Sequence, residues 1–136
     1  MAAIVTVELA QFVPLSASDA YELLCDWEDH GRWVPFTRVV VHDKTSFTAY
    51  TGVGPLALKD EMMVVSRDDS QRKVMIEKLG PIITGTASFS VRPCAQAGCV
   101  VRWRESIRVP LVPGFVAPPL RAATRALFRH ALRSLA

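Results

Sequence analysis

"PPLRAATRALFRHALRSLA", residues 118–136, is the stretch that decides the fold. Pro118 and Pro119 suit the first turn of a helix, where a missing amide hydrogen costs nothing. About 19 residues with a rise of about 1.5 Å each predict a helix about 28 Å long, enough to lie across a whole β-sheet. The side chains that share one face at helical spacing are Leu120, Thr124, Leu127, Phe128, Ala131 and Leu135.

The chain before this helix begins as a strand and then turns helical. Residues 3–13 alternate apolar and polar side chains, and Ser16 with Asp19 has the spacing of a helix start. Gly31 is expected to end a second short turn over about residues 26–30. The side chains predicted to share one face of this segment are Ala20, Tyr21, Leu24 and Trp27.

Six β-rich runs lie between the short helices and the long one, each closed by Gly, Pro or Asp. Together with the first strand they predict an α+β fold, in which a curved seven-stranded antiparallel sheet wraps around the C-terminal helix. Two short helices follow the first strand, and residues 1–136 form a single domain. The predicted strands cover residues 36–43, 46–53, 56–66, 72–79, 82–92 and 99–109.

A strongly twisted sheet cannot close onto one helix along its whole length, so we expect a cavity near one end. The short helices would then form its lid. On this view Trp27 and Trp33 lie at the rim of the cavity, although they could equally plug one end of the core. The loop at Gly52, Val53 and Gly54 is expected to border the cavity mouth.

Composition excludes several classes of protein. No apolar run reaches the roughly 18 residues that a membrane-spanning helix needs, and the amino terminus lacks the basic region of a signal peptide. Cys25, Cys94 and Cys99 are an odd number without a CxxC pair, which favours free thiols in a reducing compartment. We therefore expect a cytoplasmic protein. The three histidines lack the spacing of metal ligands, and no cofactor is expected.

Several segments, taken in order, resemble the START-like or SRPBCC superfamily, which includes the polyketide cyclase/dehydrase and lipid-transport family. The resemblance implies a helix-grip fold with a cavity for a hydrophobic or aromatic small molecule. Members include lipid carriers, hormone receptors, cyclases and dehydratases of polyketide chains, and ribosome-associated proteins. The matching segments are "SASDAYELLCDWEDHGRWVP" (16–35), "TGVGPLALKDEM" (51–62), "GPIITGTASFSV" (80–91) and "VVRWRESIRVPL" (100–111).

Alternation along the strands places a few polar side chains inside the sheet. Glu105 shares its face with Val101 and Trp103, whereas the neighbouring arginines point the other way. The same parity points Asp60 inward, and Lys78 could partner an inward acid. A carboxylate on an apolar face is costly unless it is paired or protonated. Glu105 and Asp60 are thus candidate catalytic acids and bases, or members of a structural ion pair.

Binding of a hydrophobic molecule, lipid-like or polyketide-like, is the first functional hypothesis, with transport as one possible use. A cyclase or dehydratase using the buried acids is the second, and a ribosome- or protein-interaction module is the third. Gly85 and Ala87 remove bulk where the sheet faces the helix, which would leave space for a ligand. The predicted ligand-binding residues are Trp33, Phe47, Met62, Ile76, Phe89, Trp103, Leu120, Thr124 and Phe128.

Arginines recur every four residues along the C-terminal helix, at positions 121, 125, 129 and 133. This spacing keeps them on one exposed face. The face is either simply solvated or binds an anionic surface such as lipid headgroups. No aromatic side chains alternate with Arg121, Arg125, Arg129 and Arg133, so nucleic acid is an unfavoured partner. A monomer and a homodimer are both compatible with the sequence.

Overall fold

The computed structural model describes residues 2–52, 58–95 and 97–135. Val53 and Gly54, from the loop predicted to border the cavity mouth, lie outside these ranges. A short 3-10 turn, Gly114–Val116, precedes the last helix. The elements are β1 (Ala2–Val13), α1 (Ala17–Cys25), α2 (His30–Trp33), β2 (Thr37–Val41), β3 (Ser46–Thr51), β4 (Leu58–Asp68), β5 (Lys73–Leu79), β6 (Thr84–Cys94), β7 (Gly98–Pro113) and α3 (Ala117–Arg133).

The predicted fold class is confirmed. The seven strands form one antiparallel sheet in the order β1-β7-β6-β5-β4-β3-β2, so β1 and β2 are its two edges. The sheet is curved, and α3 lies on its concave side, with its closest packing against β1. No helix in the described ranges is long and apolar enough to cross a membrane.

Helix α1 begins where its sequence predicts. The side-chain oxygen of Ser16 accepts a hydrogen bond of 3.0 Å from the backbone amide of Asp19, which caps the first turn. The helix then buries the face formed by Ala17, Ala20, Tyr21 and Leu24 against the sheet. These residues belong to a core that also contains Ala131 and Leu132 near the end of α3. One end of the concave side is therefore filled by side chains.

Gly31 does not end a helix, contrary to the prediction. It lies inside α2, where a Cβ atom would be 2.9 Å from the carbonyl oxygen of Thr37. The glycine thus allows α2 to pack directly on the backbone that leads into β2. This close approach, and not a helix stop, explains the residue at position 31.

Strand β7 continues beyond Pro110, where we predicted its end, and stops only at Pro113. Its neighbour β6 begins at Thr84, which pairs with Arg108, so the backbone beyond this point needs no partner on that side. On the other side the register with β1 shifts between Ala2 and Ala3. Proline is tolerated in a strand at such an edge or bulge because its missing amide hydrogen is not needed there.

Candidate functional site

A cavity of about 440 Å³ lies between the concave face of the sheet and α3. Strands β2 to β7 and the first half of α3 supply its walls, because the side chains of alternate residues on each strand point toward the helix. The residues predicted to bind a ligand that do line this cavity are Phe47, Met62, Ile76, Trp103, Leu120, Thr124 and Phe128. The predicted acids Asp60 and Glu105 line it as well.

Trp33 and Phe89 were also predicted to bind the ligand, and both lie in the core and not in the cavity wall. Helix α1 contacts β6 at this end of the sheet, and Phe89 is buried beneath it. Phe89 stacks on Trp103, with ring centroids 5.5 Å apart. It therefore contacts a residue that lines the cavity without lining the cavity itself. The ring of Trp33 packs on His30 at 4.7 Å.

Trp27, between α1 and α2, and Trp33, in α2, are core residues, so of the two predicted positions the structure shows the core and not the rim. Trp27 and Trp33 keep only 6% and 5% of their surface exposed. Trp27 stacks nearly parallel on Phe47, with centroids 5.0 Å apart. The opposite face of the cavity is also aromatic, since Trp103 stacks on Phe128 of α3 at 4.9 Å. Phe47, Trp103 and Phe128, which line the cavity, are thus each stacked on a second aromatic ring.

Three charged side chains meet on the cavity wall and form what we call the charged cluster: Asp60, Lys78 and Glu105. The ammonium of Lys78 donates to Asp60 Oδ2 at 2.5 Å and lies 2.9 Å from Glu105 Oε1. The three side chains are 10%, 6% and 5% exposed, in the order Asp60, Lys78, Glu105. Paired charges at this depth are much less costly than isolated ones.

The charged cluster forms because β6 carries very small residues where Lys78 must cross it. Lys78 on β5 pairs with Gly85 on β6, and Glu105 on β7 pairs with Ala87. A larger side chain at either β6 position would occupy the path between Lys78 and Glu105. Gly85 also adopts a φ of +137°, which favours glycine, and a Cβ atom there would overlap the carbonyl oxygen of Ser106.

Burial raises the pKa of Asp60, and the neighbouring ammonium of Lys78 opposes this rise only in part. Burial by itself lowers the pKa of Lys78, but the two carboxylates outweigh burial and hold that pKa above its usual value. Lys78 is therefore a cation. Asp60 Oδ1 and Glu105 Oε2 are buried and have no hydrogen-bond partner among the described residues. The charged cluster thus has two carboxylate oxygens that are free to accept hydrogen bonds from a ligand.

His30 lines the cavity but was not among the predicted site residues. Its ring lies in α2, and Nε2 donates to the carbonyl oxygen of Leu24 at 2.6 Å. Nδ1 of the neutral ring is then an acceptor. Burial lowers the pKa of His30, and the hydrogen bond to Leu24 offsets only part of this effect. His30 lies three residues from both Trp27 and Trp33, and this helical spacing was the sequence signal that could have placed it on the same face as the tryptophans.

Replacing His30 by glutamine is expected to make the fold less sensitive to acid. Because the pKa of His30 is lowered in the folded state, the unfolded chain binds more protons as the pH falls below about 6.5. The wild type then loses stability through this group, whereas His30→Gln does not. Urea unfolding of both proteins at about pH 7.5 and about pH 5.5 measures the difference. If the difference in unfolding free energy between the wild type and His30→Gln were the same at both pH values, the expectation would be wrong.

The arginines predicted to form one exposed stripe are not all equally exposed. Arg121, Arg125 and Arg133 are exposed, and Arg129 is half-buried. Arg102, Arg104 and Arg108 project from the convex side of β7, on the other side of the sheet from α3. Arg125 of α3 nevertheless lines a surface pocket together with Arg102 and Arg104, so the two sets meet at this point. Binding of an anionic surface by the stripe on α3 stays a prediction.

Comparison with known proteins gives one family and many similar structures. A family model described as polyketide cyclase/dehydrase and lipid transport matches residues 5–136. No curated protein sequence matches the chain. Solved structures match it at low sequence identity, which is a likeness of fold alone.

Three of these structures show the range. A START superfamily protein from Mycobacterium smegmatis aligns with a TM-score of 0.77 at 14% identity, over 96% of this chain and 93% of that one. The ZhuI aromatase/cyclase from Streptomyces sp. R1128 aligns with a TM-score of 0.75 at 14% identity, over 97% and 91%. A truncated norcoclaurine synthase from Thalictrum flavum aligns with a TM-score of 0.71 at 14% identity, over 96% and 92%.

Proposed function

The chain belongs to the polyketide cyclase/dehydrase and lipid-transport family, and from this premise we propose that it binds a small hydrophobic molecule between the sheet and α3. The cavity itself is the observation that carries the proposal. Its volume of about 440 Å³ falls within the range of roughly 300–1,000 Å³ typical of small-molecule sites. Most of its described lining is aliphatic or aromatic, and the charged cluster occupies one wall.

Affinity would come from removing apolar ligand surface from water. Met62, Ile76 and Leu120 offer aliphatic contacts, while Trp103 and Phe128 offer ring faces. Because the charged cluster is the densest group of polar atoms on the wall, it would fix the orientation of the ligand. Binding without chemistry, including carriage of the ligand to another site, is the simplest use of this arrangement.

A pair of adjacent alanines on α3 provides the test. Ala122 and Ala123 are both exposed, but only Ala123 lines the cavity in the described part of the chain. We expect Ala123→Trp to weaken binding of the neutral dye phenylnaphthylamine about tenfold or more, because the indole occupies ligand space. Fluorescence titration measures the effect.

Ala122→Trp is the matched control, since it adds the same ring to the same helix outside the cavity. Its affinity for the dye should stay within about twofold of the wild-type value. Equal weakening by both substitutions would show that the added bulk disturbs the helix and does not fill a site. Full affinity in Ala123→Trp would place the bound dye elsewhere and overturn the proposal.

Catalysis by the charged cluster is the second candidate function. Two observations favour it: the raised pKa of Asp60, and a free oxygen on both carboxylates. In a dehydration, one carboxylate would take the α-proton of a carbonyl chain, and a protonated one would give its proton to the β-hydroxyl, which leaves as water. Asp60→Asn and Glu105→Gln should then abolish turnover and still bind a neutral ligand. Unchanged turnover in both variants would exclude this candidate.

A further inference from the structure

The charged cluster holds more negative than positive charge. Two carboxylates and one ammonium give −2 + 1, a net charge of −1, if all three groups are ionised. The surrounding wall is apolar, and the cluster is nine-tenths buried or more. A single excess charge in such an environment is strongly unfavourable unless a bound cation or a proton neutralises it.

The charged cluster also has more free hydrogen-bond acceptors than free donors. The ammonium of Lys78 donates to Asp60 and, at 3.6 Å, to the sulfur atom of Met62, and it forms an ion pair with Glu105. It has no further hydrogen to give to a ligand. Asp60 Oδ1 and Glu105 Oε2, by contrast, have no donor among the described residues. The cluster therefore accepts hydrogen bonds and does not offer them.

We infer that the molecule bound in the cavity carries a protonated amine, which the charged cluster receives at Asp60 and Glu105. An ammonium group supplies both missing features, a positive charge and hydrogen-bond donors. A carboxylate or a phosphate placed at the charged cluster would meet a net negative charge and three side chains without a free donor, so fatty acids and phosphate headgroups are disfavoured as the polar end of the ligand. This inference rests on the proposed hydrophobic binding function and specifies its ligand class.

Trp103 and His30 are among the further residues with polar atoms that line the cavity. Trp103 Nε1 is a buried donor without a partner among the described residues, which suits an acceptor elsewhere on the ligand. His30 on α2 is buried, and its lowered pKa keeps it neutral, so it adds no positive charge that would repel an amine. Burial and the neighbouring carboxylate of Glu105 both raise the pKa of Asp60, in keeping with the excess of negative charge in the cluster.

Three ligands with the same ring and different polar ends provide the test: naphthylethylamine, naphthylethanol and naphthylacetate. Isothermal titration calorimetry on the wild-type protein at neutral pH should give the amine an affinity about tenfold or more above that of the alcohol. The acetate should bind more weakly than the alcohol.

Glu105→Gln is the matched variant, because it removes one negative charge and keeps the shape of the side chain. It should lose the preference for the amine, because the affinity for the amine should fall by much more than the affinity for the alcohol. Asp60→Asn should behave in the same way, so the result does not depend on the folding of one variant.

The outcomes separate this inference from the function on which it rests. If the three ligands bind the wild type equally, or the acetate binds most tightly, the amine inference is wrong and the hydrophobic cavity stands. If none of the three binds, the proposed binding function is itself wrong and the inference falls with it. An amine preference that persists in both variants would place the ammonium site elsewhere and would also overturn the inference.

Discussion

Replacing Lys78 by methionine is expected to lower the free energy of unfolding by about 3–5 kcal/mol, the usual cost of removing one partner from a buried ion pair. The variant leaves Asp60 and Glu105 on the same wall, buried and without their shared cation. The pKa of Asp60, which burial already raises in the wild type, must then rise further in the folded state. Because a folded state with raised carboxyl pKa values binds more protons, the variant should regain stability as the pH falls toward about 5. Urea unfolding at neutral and acidic pH measures both effects.

The control for this result removes the charges altogether. The variant carrying Asp60→Asn, Lys78→Met and Glu105→Gln keeps the side-chain volumes and leaves no buried ion. It should recover most of the stability lost by Lys78→Met alone. A Lys78→Met protein within about 1 kcal/mol of the wild type at neutral pH would mean that the lysine is not the counter-ion that the fold depends on.

Replacing Gly85 by valine is expected to cost about 3–5 kcal/mol as well, or to prevent folding. Position 85 has a φ of +137°, and a Cβ atom there would overlap the carbonyl oxygen of Ser106 on β7. A β-branched side chain would also block the path of Lys78 toward Glu105. Thermal unfolding followed by circular dichroism measures the loss.

Thr86→Val is the matched control for Gly85→Val, because Thr86 is an exposed residue on the same strand. It should change the free energy of unfolding by no more than about 0.5 kcal/mol. If the two valine variants were equally stable, β6 would have room at position 85, and its glycine would not be what opens the way for Lys78.

Most of what the sequence could predict about the site came from the alternation of side-chain directions along the strands. Strand β7 has one buried face, so Glu105 among Val101 and Trp103 could be assigned to the interior from parity alone. The same reasoning placed Asp60 inside and identified Gly85 and Ala87 as positions without bulk. These inferences work because a period of two on a half-buried strand leaves few alternatives.

Features that depend on how separate elements dock could not be predicted in this way. Helix α2 has only four residues, too few to show a helical period, so its sequence could not place His30 in the cavity wall. Whether Trp27 and Trp33 reach the rim or the core depends on how closely α2 approaches β2, and a single glycine at position 31 decides that distance. That Lys78 meets two acids at once depends on the register across three strand pairs.

Native mass spectrometry of the purified wild type beside Ala123→Trp tests the central claim, that the cavity holds a hydrophobic molecule, most directly. The account predicts that the wild type carries additional mass, or acquires it after incubation with naphthylethylamine, and that Ala123→Trp shows much less. Solvent extraction should release the bound molecule and allow its identification. Wild type and Ala123→Trp both remaining at the mass of the bare chain, with and without the amine, would contradict the claim.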